Sequence, residues 1–201
     1  DPAVQRGAMN ALRRLTAAIY LNGGSHIVLG ERDGVLCAPY FPDYARLRPA
    51  WARAVRADYD FIARYSECFF DPTWRDISAT STGGINEEVR LDMPRYGPNA
   101  ELNSVWTIVR AKEHTLTLGL VNLRGMEAPL WNAPQPAARR IRALRVTLQL
   151  EKPIQAVYFA SPDYNNGRAV PLPIQPAGRL AQVTIPELAY WGLVIVQLQN
   201  A

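Results

Sequence analysis

Apolar residues recur at intervals of three and four from Ala3 to Tyr20, through Val4, Ala8, Ala11, Leu12, Leu15, Ala18 and Ile19. That spacing predicts an amphipathic helix. Asp1-Pro2 supplies a start signal and Asn22-Gly23-Gly24 a stop. The next run, Ser25-His26-Ile27-Val28-Leu29-Gly30, is short, apolar and bounded by glycines. It reads as a strand buried on both faces. After the aromatic loop Pro39-Tyr40-Phe41-Pro42, a second long helix is expected from about Tyr44 to Phe69. Its stripe is Leu47, Trp51, Val55, Tyr59, Ile62 and Tyr65, with Pro49 near the start. Helix, strand, loop, helix is an α/β order and implies a parallel sheet. One strand alone would leave its backbone groups unpaired, so another chain or further segments of a longer parent are expected beside residues 25–30.

Beyond Asp71-Pro72 the period changes from helical to alternating. Strands are expected at 87–91, 105–111, 115–123, 144–150, 154–160, 181–185 and 193–198. Leu116, Leu118 and Leu120 alternate with Thr115, Thr117 and Gly119, and Pro- and Gly-rich turns separate the runs. Short strands punctuated in this way predict an antiparallel β-sandwich. The fold class is therefore α/β plus all-β. The domains divide into residues 1–76 and residues 77–201.

Composition changes little in this picture. The 201 residues are 48% hydrophobic and 20% charged, as in a globular chain with a buried core. No apolar run approaches the roughly 20 residues of a membrane span. The chain opens on Asp1 without an initiator Met, which reads as an internal or processed piece. The net charge is +4, and of the 22 basic residues only Lys112 and Lys152 are lysine. The basic residues are scattered, with one tight cluster at Arg139, Arg140, Arg142 and Arg145. A nucleic-acid footprint needs greater density on one face, so the cluster reads as solvated surface and no nucleic-acid partner is expected.

Candidate chemistry is sparse. There is no phosphate-binding glycine loop, nucleophile elbow or HExxH sequence. Cys37 and Cys68 read as buried free thiols, with one structural bridge as the alternative, and neither histidine stands at metal-ligand spacing from them. No metal and no cofactor is expected. Glu31 follows the apolar strand, where α/β barrels place functional groups; alternatively it opens a turn with Asp33-Gly34 and faces water. The carboxylate pairs Glu87-Glu88 and Asp58 with Asp60 diverge by strand and helix geometry, so neither is a persuasive acid–base dyad. Tyr40, Phe41, Tyr44 and Tyr164 are candidate sugar-stacking rings.

Three groups of residues, in this order, resemble glycoside hydrolase family 66, the dextranases and cycloisomaltooligosaccharide glucanotransferases. The first is Leu21–Glu31 followed by Pro39–Pro42. The second is Asp58-Tyr59-Asp60-Phe61-Ile62-Ala63-Arg64-Tyr65. The third comprises Val121-Asn122-Leu123, Leu130-Trp131-Asn132, Tyr158–Asp163, Ile185-Pro186 and Tyr190-Trp191. Their order matches the family's C-terminal part. The resemblance implies that residues 1–76 are the last turn of a (β/α)8 barrel and that residues 77–201 are the all-β domain after it. It further implies a secreted, extracellular enzyme attacking α-1,6-linked glucan (dextran or isomaltooligosaccharide) with retention of configuration. The nucleophilic Asp and acid/base Glu would lie on earlier strands, so no catalytic residue is assigned here and the chain alone would be inert. Glu31 and Tyr40 are expected at the barrel rim as substrate contacts. The alternative is a carbohydrate-binding or purely structural sandwich module.

Overall fold

The computed structural model describes residues 1–28, 34–36, 44–83, 87–178 and 180–199. Helix α1 (Pro2–Leu21) begins where the Asp1 carboxylate accepts the Ala3 N–H at 2.7 Å, which satisfies one otherwise orphaned donor. It ends at Asn22 and Gly23, whose φ of 80° is readily available only to glycine. A two-stranded hairpin follows, β1 (Gly34–Leu36) against β2 (Tyr44–Arg46). The expectation of helix from Tyr44 is therefore corrected. Helix α2 (Pro49–Arg64) begins at the proline, and Arg48 before it is extended, as a residue preceding proline tends to be. A break at Tyr65 separates α2 from the short α3 (Ser66–Phe70).

The rest is mostly antiparallel sheet. In chain order come β3 (Arg75–Asp76), the single turn α4 (Ser78–Ser81), β4 (Val89–Leu91), β5 (Tyr96–Gly97), β6 (Val105–Lys112) and β7 (Thr115–Asn122). They are followed by β8 (Ile141–Leu148), β9 (Ile154–Ala160), β10 (Val170–Pro171), β11 (Gln175–Ala177), β12 (Leu180–Leu188) and β13 (Trp191–Leu198). One sheet runs β10-β9-β13-β7-β6-β3, with β5 added parallel to β6; the other runs β11-β12-β8-β4.

The two sheets enclose a common core, with Leu118, Leu120, Phe159 and Val194 from the first and Leu144, Val146, Val183 and Ile185 from the second. The first sheet is buried on its other face too. There Ile108, Val121, Trp191 and Leu193 meet Ala17, Leu21, Phe61 and Phe69 of the helices. The molecule is thus three layers deep: helices, large sheet, small sheet. This arrangement explains the alternation in β7. Its leucines fill the sandwich core, while Gly119 lies against Leu21, where an added Cβ would come within 2.6 Å of the leucine side chain. The small positions of β7 make room for a helix.

The sequence predicts a strand buried on both faces at 25–30. Within the described part, residues 24–28 belong to no sheet. Ile27 is 82% exposed while Val28 is buried, so only one face is covered. The physical reason is that α1 and α2 flank this segment on one side and no strand among the described residues lies beside it.

Candidate functional site

Residues 24–28 are held by side chains instead of a ladder. Tyr20 of α1 and Tyr59 of α2 both donate their hydroxyls to the His26 carbonyl, at 3.1 and 3.3 Å. The Tyr59 oxygen in turn accepts the Val28 N–H at 3.2 Å. These bonds meet the requirement that buried backbone groups be paired. The His26 ring shares a hydrogen bond with Thr16 Oγ1 at 3.1 Å and packs edge-on against Tyr20. Partial burial lowers the imidazole below its ordinary pKa and raises the Tyr59 phenol above its own.

An open cleft of about 330 Å³, lined by Tyr20, Ser25, His26, Ile27 and Tyr59, lies on one flank of this segment. A groove of about 480 Å³ shares His26 and Ile27 with it and has Leu12, Leu15, Val28, Val35 and Trp51 among its other walls. Leu12 and Leu15 belong to the apolar stripe of α1 and stay half-buried. The stripe thus faces a space that the described residues leave unfilled.

Deeper in, the helices lock onto the large sheet through a charged network. Arg13 of α1 grips Asp58 of α2 with two bonds, Nε to Oδ2 at 3.0 Å and Nη2 to Oδ1 at 2.9 Å. Its remaining arm reaches Asp163 at 2.6 Å. The Trp191 indole donates to the same Asp58 Oδ1 at 2.9 Å, and the Tyr190 N–H donates to Asp163 Oδ2 at 3.2 Å. The guanidinium carbon stands 4.5 Å from the centre of the Tyr190 ring. Burial opposes the Arg13 charge, but the charges and hydrogen bonds of Asp58 and Asp163 outweigh it and hold the guanidinium protonated. Burial pushes the Asp58 carboxyl up, while Arg13 and the Trp191 indole pull it back. Both Asp58 oxygens are occupied by donors from the protein, so the group serves packing and not proton transfer.

Glu31 and Tyr40, the expected sugar contacts, lie outside the described residues, as do Phe41 and Cys37. Of the carboxylate pairs, Asp58 is buried while Asp60 is exposed beside Arg56. Glu88 accepts from Ser81 Oγ at 2.9 Å while Glu87 lies toward Arg90. Neither pair forms a dyad. Tyr164 is half-buried and packs its ring against Phe159, 6.1 Å between centres. Cys68 is a half-buried free thiol, pushed up to about 11 chiefly by burial.

The structure does bring together the stretches singled out in the sequence: Asp58 from the second, and Asp163, Tyr190 and Trp191 from the third. Arg13 escaped sequence reasoning because an arginine on a helix ordinarily reads as solvated. Its place between Leu12 and Leu15 in the apolar stripe was the available signal.

Residues 9–195 match the sequence profile of Glycosyl hydrolase family 66, and the chain belongs to that family. Two cycloisomaltooligosaccharide glucanotransferases of Niallia circulans are similar to it. One is 27% identical over 198 residues and the other 26% identical over 194, covering 96% and 94% of this chain. The chain spans about a fifth of their length, 20% and 19%. Among solved structures, the cycloisomaltooligosaccharide glucanotransferase of Paenibacillus sp. complexed with cycloisomaltoheptaose superposes with a TM-score of 0.82 at 25% identity. That match covers 92% of this chain and 27% of the other.

Proposed function

We propose that this chain is the C-terminal portion of a secreted, extracellular α-1,6-glucan hydrolase or transglycosylase whose catalytic carboxylates lie on segments outside it. Residues 1–76 supply the closing turn of a (β/α)8 barrel, α1, the 25–30 stave and α2. Residues 77–201, joined by the edge strand β3 at 75–76, form the sandwich that braces that turn. The observation that carries the reading is the segment at 24–28. It is covered by α1 and α2 on one side and belongs to no sheet, beside a groove lined by the unsatisfied stripe of α1. A neighbouring barrel strand is the element such a groove accommodates. The glucanotransferase relatives and the cycloisomaltoheptaose complex support a glucan as the substrate.

In this reading Glu31 and Tyr40 reach the rim at the C-terminal end of the stave, where barrel enzymes hold substrate. The test compares two proteins on dextran: the 201-residue chain, and the product of the coding sequence extended upstream of Asp1. New reducing ends or cyclic products are expected from the second alone. Cleavage by the 201-residue chain would place an acid and a nucleophile within it and overturn the assignment. In the extended protein, Glu31→Gln and Tyr40→Ala are expected to raise KM for dextran.

A further inference from the structure

The arginine cluster that reads as solvated surface in the sequence has partners in space. Arg139 and Arg142 line a groove of about 440 Å³ together with Arg95 and Arg124, which arrive from separate stretches. The two central arginines are fixed through their backbones. Asn122, fully buried, donates Nδ2 to the Arg139 carbonyl at 3.0 Å and accepts the Arg124 N–H at 3.1 Å. The Arg139 N–H closes the loop onto the Arg124 carbonyl at 3.1 Å. Gly125 permits this approach: its φ is 92°, and a Cβ there would stand 3.1 Å from the Ala137 carbonyl oxygen. Asn103, itself left-handed at φ 59°, accepts the Gly125 N–H at 2.9 Å and donates to the Met126 carbonyl at 3.2 Å.

The part of the lining from β8 is equally particular. Along β8 and β12 the register pairs Arg142 with Glu187 and Leu144 with Ile185, and lapses between them, where Ala143 stands against Pro186. Proline has no N–H to give the ladder. Ala143 adopts φ 50°, and Arg142 and Ala143 are exposed in succession, so the alternation breaks beside the groove. Two left-handed residues without the freedom of glycine, Asn103 and Ala143, thus line one groove. Such local strain tends to gather at binding sites.

Four arginines line this concavity; Arg124 is half-buried, and Arg95, Arg139 and Arg142 are exposed. No side chain accepts from the guanidinium groups of Arg95, Arg124 or Arg139 among the described residues. Arg142 meets Glu187 only at 3.5 Å and is 79% exposed. Asp92 at the groove is engaged by Arg145. A guanidinium fork matches an oxyanion in geometry and charge. Small-molecule sites occupy roughly 300–1,000 Å³, and a bare phosphate would leave most of this groove empty. The buried Ile141 and Leu144 give it an apolar wall.

We propose that this groove binds a small organic oxyanion of mono- or disaccharide size, a phosphate ester or a carboxylate, held between Arg124 and Arg139. The proposal does not depend on the barrel reading. The test is titration calorimetry of the 201-residue chain at low ionic strength with glucose 6-phosphate, glucuronate, inorganic phosphate and glucose. At least one of the two charged sugars is expected to bind, with an affinity that falls as salt is added, and glucose is not. The double variant Arg124→Gln/Arg139→Gln is expected to weaken that binding by about tenfold or more. Arg95→Gln, outside the Arg124–Arg139 pair, is expected to weaken it less, and Arg56→Gln on α2 to leave it unchanged. Circular dichroism checks that each variant is folded. Failure of both charged sugars to bind, or equal binding by the double variant, overturns the proposal. Inorganic phosphate binding as tightly as glucose 6-phosphate overturns the organic part of the ligand.

Discussion

Asp58 and Trp191, 133 positions apart, meet at a single carboxylate oxygen 2.9 Å from the indole nitrogen. Through that bond the second helix is tied to the central strand of the large sheet, and Arg13 ties the first helix to the same Asp58 and to Asp163. Charge buried in pairs contributes little net stability, but removing one partner strands the other. Asp58→Asn is therefore expected to cost about 3 kcal/mol or more. Urea denaturation followed by Trp fluorescence measures it; a loss under about 1 kcal/mol would mean that Asp163 alone suffices for Arg13.

Gly7 lies inside α1, where alanine would ordinarily stabilise a helix by about 1 kcal/mol. Here a Cβ would stand 2.6 Å from Pro134 Cβ and 3.3 Å from the Gln135 nitrogen, and the Gln135 N–H donates to the Gly7 carbonyl at 2.9 Å. A proline ring and a bonded backbone have little room to give. Gly7→Ala is expected to lower stability by about 1–3 kcal/mol despite its propensity. A higher denaturation midpoint would show that the 134–136 segment moves freely away.

Tyr59→Phe removes one oxygen that both donates to the His26 carbonyl and accepts the Val28 N–H. Hydrogen exchange at the Val28 amide is expected to accelerate clearly, while amides in β7 and β13 keep their protection. Unchanged exchange at Val28 would show that the tyrosine does not hold the segment.

Burial lowers His26 below its ordinary value of 6.5, so the unfolded chain binds a proton that the folded chain resists. The corresponding stability is present above the unfolded value and is lost as pH falls below it toward the depressed folded value. The urea midpoint of the native chain is expected to drop between about pH 7.5 and about pH 5.5, and His26→Gln to flatten that drop. An identical pH slope in the variant would assign the effect to other groups.

The sequence states α1 almost residue for residue, because capping signals frame a strong three-and-four period. It also states the long strands, and β9 matches residues 154–160 in full. The short strands β3, β5, β10 and β11, two or three residues each, carry too few positions for alternation to register. A start for α2 near Tyr44 is too early because Leu47 continues the helical stripe, whereas Pro49 decides where the helix can begin. At the site, the 24–28 segment was legible as apolar but not as one-sided, since burial on the second face depends on a neighbour that composition does not name. The arginine groove is not legible in the sequence for a different reason: Asn122 joins the backbones of Arg124 and Arg139, Arg95 comes from a separate stretch, and these are tertiary contacts.

The last strand, β13, lies in the middle of the large sheet, hydrogen-bonded to β9 on one edge and β7 on the other. During synthesis, therefore, the sheet cannot be completed until residue 198 has cleared the ribosome. Until then β7 and β9 each present an open edge, with Trp191 not yet available to seat the helices. Nascent chains stalled before that point are expected to recruit chaperones and to aggregate when released, and a stop codon placed just upstream of Trp191 would remove the keystone of two layers at once.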